Sequence, residues 1–145
     1  MGWGLEIERK FLLKEAPNFN DPDFGDVQRA CIEQRYLLIP GKNKRLRIRK
    51  RTQSGFSTYY KTRKVKVKPG VRYEKESKIS APGYESLSQF QDPATKIIRK
   101  DRYCFVYRSQ YFELDVFIEP VKICLLEIEL TEENDKVELP PFIKV

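Results

Sequence analysis

The feature that most limits what this chain can fold into is an alternation of charged and apolar residues with a period of two, repeated in segment after segment. Successive side chains of a strand point to opposite faces, so each such segment has one charged face and one apolar face. Across residues 5–11, Glu6, Glu8 and Lys10 share a face, with Leu5, Ile7 and Phe11 on the other. Residues 44–51 read KRLRIRKR, which groups Arg45, Arg47, Arg49 and Arg51 and sets Leu46 and Ile48 opposite them. Residues 73–76 pair Glu74 with Glu76, residues 111–117 pair Glu113 with Asp115, and residues 126–130 pair Glu127 with Glu129. Further strand-like runs span 32–39, 56–68 and 102–108.

Pro40-Gly41, Ser54-Gly55, Pro69-Gly70 and Pro82-Gly83 read as turns between these runs. Residues 84–91, stopped before Pro93, predict a short helix, and residues 19–30 a second one. No repeat of the solenoid kind and no low-complexity linker divides the chain, so residues 1–145 read as one domain. The expected fold is mainly β: many short antiparallel strands with a few short flanking helices.

An ordinary sheet exposes its polar face to water and packs its apolar face on a core. Solvated faces usually mix charge signs, because like charges two residues apart repel. Here the rows are single-signed: acidic at Glu6/Glu8, Glu74/Glu76, Glu113/Asp115 and Glu127/Glu129, basic at Arg47/Arg49. Closure into a barrel would bring these rows together in a polar lumen and turn the apolar faces outward, under helices and loops. A barrel of about eight strands has an interior just wide enough for one small ligand.

Clustered carboxylates suit hard divalent cations such as Mg²⁺ or Mn²⁺. Arginine forks match phosphate oxygens, and lysines add point charge. A ligand that needs many cations and also carries a metal is a polyphosphate, and the formal net charge of +7 agrees with an anionic partner. Histidine is absent, which excludes His triads and His metal sites. Cys31, Cys104 and Cys124 are odd in number and scattered, as free thiols packed like small apolar side chains would be. No apolar run has the length of a membrane span and no signal peptide is evident, so the cytoplasm is the expected compartment, without membrane association.

Glu6-Ile7-Glu8-Arg9-Lys10 is a Glu-x-Glu-x-Lys motif near the N-terminus, followed by apolar Phe11-Leu12-Leu13. It resembles the signature of the CYTH family, the triphosphate tunnel metalloenzymes, which include tripolyphosphatases, thiamine triphosphatases, RNA triphosphatases and class IV adenylate cyclases. Later segments are similar to that family in the same order. Residues 32–37 look like its second strand, Arg47-Ile48-Arg49 its phosphate clamp, and Tyr60-Lys61 its phosphate-binding lysine strand. Arg72-Tyr73-Glu74-Lys75-Glu76, Lys100-Asp101-Arg102-Tyr103, Glu113-Leu114-Asp115 and Glu127-Ile128-Glu129 complete the likeness. It implies a closed eight-stranded antiparallel β-barrel forming a triphosphate tunnel. One departure is the end of the chain at Val145, soon after Pro140-Pro141-Phe142, where many members continue with an acidic segment and a helix that closes one tunnel end. That end is expected to be open, covered by a partner subunit, or closed by residues outside this sequence.

The resemblance implies metal-assisted hydrolysis of a triphosphate, with inorganic triphosphate the first expectation and thiamine or nucleoside triphosphate next. Arg47, Arg49, Lys61, Lys100 and Arg102 would bind the phosphates. Glu6, Glu8, Asp115, Glu127 and Glu129 would ligate Mg²⁺ or Mn²⁺. Lys10, Glu74 and Glu76 would serve catalysis, Lys10 near the phosphates and the two glutamates by orienting water or completing the metal shell. Arg45, Lys50 and Arg51 read as surface charge, and Trp3 as packing. The alternatives are a class IV-type adenylate cyclase, a polyphosphate binder without turnover, or an RNA-binding module built on the basic runs. The acid pairs disfavour nucleic acid, and a homodimer stays open.

Overall fold

The computed structural model describes residues 4–40 and 46–145. Trp3 and Arg45, together with the Pro40-Gly41 turn signal, therefore fall wholly or partly outside the described residues. Eight strands are present: β1 (Gly4–Leu13), β2 (Gln28–Leu37), β3 (Leu46–Gln53), β4 (Phe56–Lys68), β5 (Val71–Ile79), β6 (Ile98–Tyr107), β7 (Gln110–Glu119) and β8 (Cys124–Glu129). They close into a barrel in the order β1-β5-β4-β3-β2-β6-β7-β8. Every neighbouring pair is antiparallel.

Tight turns set the register. Between β3 and β4, Ser54 (φ 52°) and Gly55 (φ 82°) both take the left-handed conformation, as in the primed turns that suit twisted hairpins. Gln53 is thereby paired with Phe56, and Arg47 with Thr62 six pairs further along. Gly70, in the turn between β4 and β5, has φ 78°, and a Cβ there would lie 3.1 Å from the Glu8 carbonyl oxygen. That position favours glycine for its conformation and for its closeness to β1.

The helical expectations need correction. Residues 19–30 hold only a 3-10 turn, Pro22–Phe24, capped by Asp21 and ended by Gly25 at φ 64°; β2 begins at Gln28. Helix α1 (Ala81–Ser88) starts earlier than expected and absorbs Pro82-Gly83. Ser80 is its N-cap, its Oγ accepting from the Gly83 N–H at 3.0 Å. Proline is tolerated in the first turn of a helix, where its missing N–H would have no partner.

The apolar rows face outward and are covered over two parts of the barrel, while Leu5, Val65 and Tyr73 on β1, β4 and β5 stay exposed. Phe112, Leu114, Leu126, Ile128, Leu13 and Phe105 form one core, closed by Phe24 of the 3-10 turn and by Ile143. Leu37, Leu46, Ile48 and Tyr84 form a second, under α1. Burying such side chains contributes roughly 1.5–3 kcal/mol each. With the apolar faces used outside, the charged faces are left to line the lumen.

Candidate active site

The register assigns the luminal positions. Glu6 lies opposite Arg72, and Gly4 opposite Glu74. Glu8 and Lys10 lie opposite Glu129 and Glu127. Thr62 and Lys64 face Glu76 and Glu74 across β4 and β5. Arg47 and Arg49 face Tyr36 and Gln34 on one side, Thr62 and Tyr60 on the other. Lys100 and Arg102 face Ile32 and Ala30, and Arg102 also faces Asp115. The period-two rows of the sequence thus converge on one lumen.

Ion pairs organise this lumen. Arg72 Nη2 donates to Glu8 Oε1 at 3.1 Å, and Lys64 Nζ to Glu6 Oε1 at 3.3 Å. Lys10 Nζ lies 3.3 Å from Glu8 Oε1 and 3.7 Å from Glu127 Oε1. Arg49 Nη2 and Thr62 Oγ1 both donate to Glu76 Oε2 at 2.9 Å. Arg102 donates from Nε and Nη2 to the two Asp115 oxygens at 2.8 and 3.0 Å, and Lys100 Nζ stands 2.7 Å from Asp115 Oδ2.

Asp115 is fully buried. Both its oxygens are engaged by cations, so in this structure it is an ion-pair partner of Arg102 and Lys100 rather than a donor free for a metal. Burial acts to raise its pKa, but the Arg102 hydrogen bond and the Lys100 charge outweigh burial and hold it below the usual carboxylate range. Burial lowers the Lys100 ammonium to about 8 against the pull of Asp115. Arg102 is raised, because its bonds to Asp115 outweigh the cost of burial.

Two charge imbalances remain. On the acidic side, burial and a hydrogen bond with Glu6 push the Glu74 carboxyl up to about 7. Burial and the charges of Glu6, Glu113 and Glu8 raise Glu129 as well. Burial also acts to raise Glu6, but its bond with Glu74 and the Lys64 and Arg72 charges lower it overall, so the proton of that pair rests on Glu74. Glu6, Glu74, Glu76 and Glu129 line one cavity of about 290 Å³. On the basic side, burial and the neighbouring Arg49 charge lower the Arg47 guanidinium. Its buried Nε has no hydrogen-bond partner among the described residues.

Among the described residues, no three Asp, Glu or Cys side chains stand close enough to hold a metal ion by themselves. The donor set nevertheless fits a hard divalent ion. Glu6, Glu74 and Glu129 are oxygen donors crowded enough to share or retain a proton, the condition that a bound cation relieves.

Lys61 and Arg51 depart from expectation. Lys61 lies opposite Ile48 and therefore faces away from the lumen, while Lys64 is the β4 lysine inside it. Arg51, read as surface charge, lines an inner cavity of about 100 Å³ with Arg49, Tyr60, Glu76 and Arg102. Lys50 faces outward as expected, opposite Glu33 and Tyr59. Arg72, Thr62 and Lys64 are luminal residues to which the sequence patterns assign no role. Counting from the Ser54-Gly55 turn would have found the β4 pair, because a two-residue turn sets odd residues of β3 against even residues of β4.

A closed antiparallel barrel with its apolar rows outside and its charged rows inside defines a charged-tunnel protein. The CYTH domain model matches residues 4–139, and the chain belongs to the CYTH domain family. Among solved structures, the inorganic triphosphatase NE1496 is similar at 29% identity and TM-score 0.59, over 96% of this chain and 86% of that one. Two further structures share the fold. PH1819 from Pyrococcus horikoshii OT3 has 22% identity, TM-score 0.62 and coverage of 89% and 80%. A putative adenylate cyclase (bh2851) from Bacillus halodurans has 18% identity, TM-score 0.56 and coverage of 92% and 84%. Comparison with curated protein sequences gives no match. No helix among the described residues is long and apolar enough to cross a membrane.

Proposed function

We propose that this protein hydrolyses a triphosphate in its tunnel with the help of a divalent metal ion, and that inorganic triphosphate carries all the groups the tunnel itself needs to read. The observation that carries this reading is the pair of opposite imbalances in one lumen. Arg47 is a buried cation whose Nε has no partner, and Glu74 and Glu129 are carboxylates pushed toward their protonated forms. A free anion would answer only the first and a free cation only the second; a metal-bound polyphosphate answers both. The similarity to the inorganic triphosphatase NE1496 supports the same substrate class.

In this proposal Arg47, Arg49, Arg102, Lys100 and Lys64 bind the phosphate oxygens and offset charge on the transferring phosphoryl group. Asp115 fixes the Arg102 fork and the Lys100 ammonium, so that neither must reorganise when substrate enters. Lys10 releases its contacts with Glu8 and Glu127 to meet the phosphate chain. Glu6, Glu8, Glu127 and Glu129 would hold Mg²⁺ or Mn²⁺, which when bound neutralises phosphate charge and makes water a better nucleophile. Glu76, fixed by Arg49 and Thr62, orients the water, and Glu74, which would give up its own proton once a cation offsets the crowded carboxylates, accepts the water's proton. The oxygen of water forms a bond to the terminal phosphorus, the bridging P–O bond breaks, and phosphate and diphosphate leave. Glu74 then returns the proton to solvent.

The test is release of phosphate from inorganic triphosphate with Mg²⁺, with Mn²⁺ and with EDTA. The proposal predicts release with at least one of the metals and none above background in EDTA. Equal release in EDTA, or none with either metal from folded protein, contradicts it. Formation of cyclic AMP from ATP under the same conditions would assign the site to cyclisation instead.

A further inference from the structure

The basic run KTRKVKVK of residues 61–68 is only half used by the tunnel. Thr62, Lys64 and Lys66 face the lumen opposite Glu76, Glu74 and Arg72, so Lys61, Arg63 and Val65 face out. The outward positions of four adjacent strands, β1, β5, β4 and β3, carry Arg9, Lys50, Lys61, Arg63 and Lys75 and no carboxylate. The other half of the barrel mixes signs outside and pairs them, as in Arg29–Asp101, Arg35–Glu33 and Arg99–Glu119. A merely solvated face has no need of a single sign. The acid pairs that disfavour nucleic acid in the sequence all face the lumen, across the sheet from this surface.

Two of the five cations have local partners. Arg9 donates to the carbonyl oxygens of Glu133 and Asp135, and Lys50 lies opposite Glu33. Lys61, Arg63 and Lys75 have no ion pair or side-chain hydrogen bond among the described residues. Arg63 lies directly opposite Lys75, an arrangement in which like charges repel and which an anion would relieve. In the next row, Leu5 is paired with Tyr73 and Tyr73 with Val65 across β1, β5 and β4. They are 56%, 48% and 41% exposed. Tyr73 is thus an exposed aromatic on a sheet surface, with an apolar residue on each side and two cations in the neighbouring row.

We infer that this outer face of β1, β5 and β4 binds single-stranded nucleic acid. A base stacks on Tyr73 between Leu5 and Val65, and Arg63, Lys75 and Lys61 meet the flanking phosphates. Sheet surfaces that hold single strands combine these parts, an aromatic that stacks a base and cations that track the backbone. A duplex hides its base faces, and an anionic membrane has no ring for Tyr73 to stack on. The surface lies on the opposite side of the sheet from the tunnel, so the inference goes beyond the triphosphate reading and does not depend on it.

The experiment follows the fluorescence anisotropy of a labelled oligoadenylate RNA with a 5′-hydroxyl end, of the same sequence in DNA, and of the RNA annealed to its complement. It is run in EDTA over a range of salt, and the 5′-hydroxyl end offers the tunnel no triphosphate. The inference predicts that the full chain binds the single strands at least tenfold more tightly than the duplex. Tyr73→Ser is expected to weaken that binding about fivefold or more, the low end of what stacking one base contributes. Arg63→Gln combined with Lys75→Gln is expected to reduce the slope of log affinity against log salt by about 1.4, roughly 0.7 for each phosphate contact on a single strand. Luminal Lys64→Met should change the affinity less than twofold. Circular dichroism confirms that each variant folds. The inference is overturned if the full chain binds neither strand, or if Tyr73→Ser and the double variant bind as well as the full chain. Loss of binding in Lys64→Met alone would place the strand in the tunnel and also overturn it. So would binding to phosphatidylserine vesicles, lost in the double variant, by a chain that binds no RNA or DNA; that result gives the face to a membrane.

Discussion

Asp115 carries the heaviest electrostatic duty of any single residue. It is the sole carboxylate within reach of Lys100 in the described ion pairs, and it takes two of the Arg102 donors. Removing one partner from a buried pair leaves uncompensated charge, which typically costs about 3–5 kcal/mol. Asp115→Asn is therefore expected to lower the stability measured by urea unfolding by that order, whereas a metal ligand's loss would act mainly on metal affinity. Glu74 makes a different prediction. Its folded pKa of about 7 lies above the ordinary value of 4.5, so its contribution is fully present below pH 4.5 and is lost as pH rises through 7. Metal-free protein should lose on the order of 1–2 kcal/mol between pH 5 and pH 8 from this group, a share that partial solvent screening keeps small. Thermal melts in EDTA test this: Glu74→Gln should flatten the slope, and an unchanged slope would place the titration elsewhere.

Among the elements, β4 shows both what the sequence reveals and what it hides. Period-two alternation reveals which residues share a face in β1, β3, β5, β7 and β8, and single-signed rows reveal that those faces belong inside. On β4 the rule gives no answer, because lysine or arginine occurs on both faces: Lys61 and Arg63 on one, Lys64 and Lys66 on the other. Only the Ser54-Gly55 turn fixes the parity, by pairing Gln53 with Phe56. Lys64→Met is accordingly expected to raise KM for triphosphate tenfold or more, while Lys61→Met changes it less than twofold; steady-state kinetics on both variants checks the assignment, and the reverse order would refute it. The same limit explains Asp115. Its place beside Glu113 in the acidic row is legible, but its capture by Arg102 and Lys100 depends on the β6–β7 register, which no local pattern encodes. The two helical misreadings have local causes. A proline that looks like a turn serves equally well in a helix's first turn, and an Asp- and Pro-rich stretch stopped by Gly25 makes one 3-10 turn and no more.

The molecule as a whole inverts the usual arrangement of a small domain: its cores lie on the outside of the sheet, under α1 and under the 3-10 turn and the C-terminal segment, and its charge lies within. This explains how a chain of net charge +7 can still hold crowded carboxylates, since luminal cations are paired against them. The luminal rows are legible in the sequence because they are charged and periodic, whereas the pairing of one row with another depends on the closed barrel. The central claim is that luminal acids and luminal bases act as one metal-dependent phosphate site. The most direct measurement is metal-dependent phosphate release from inorganic triphosphate in Glu8→Gln and Arg49→Gln, each confirmed folded by circular dichroism. The account predicts that each loses a hundredfold or more in kcat/KM, and that Glu8→Gln also needs more metal for half-maximal rate. Release at the unsubstituted rate in either variant would contradict it.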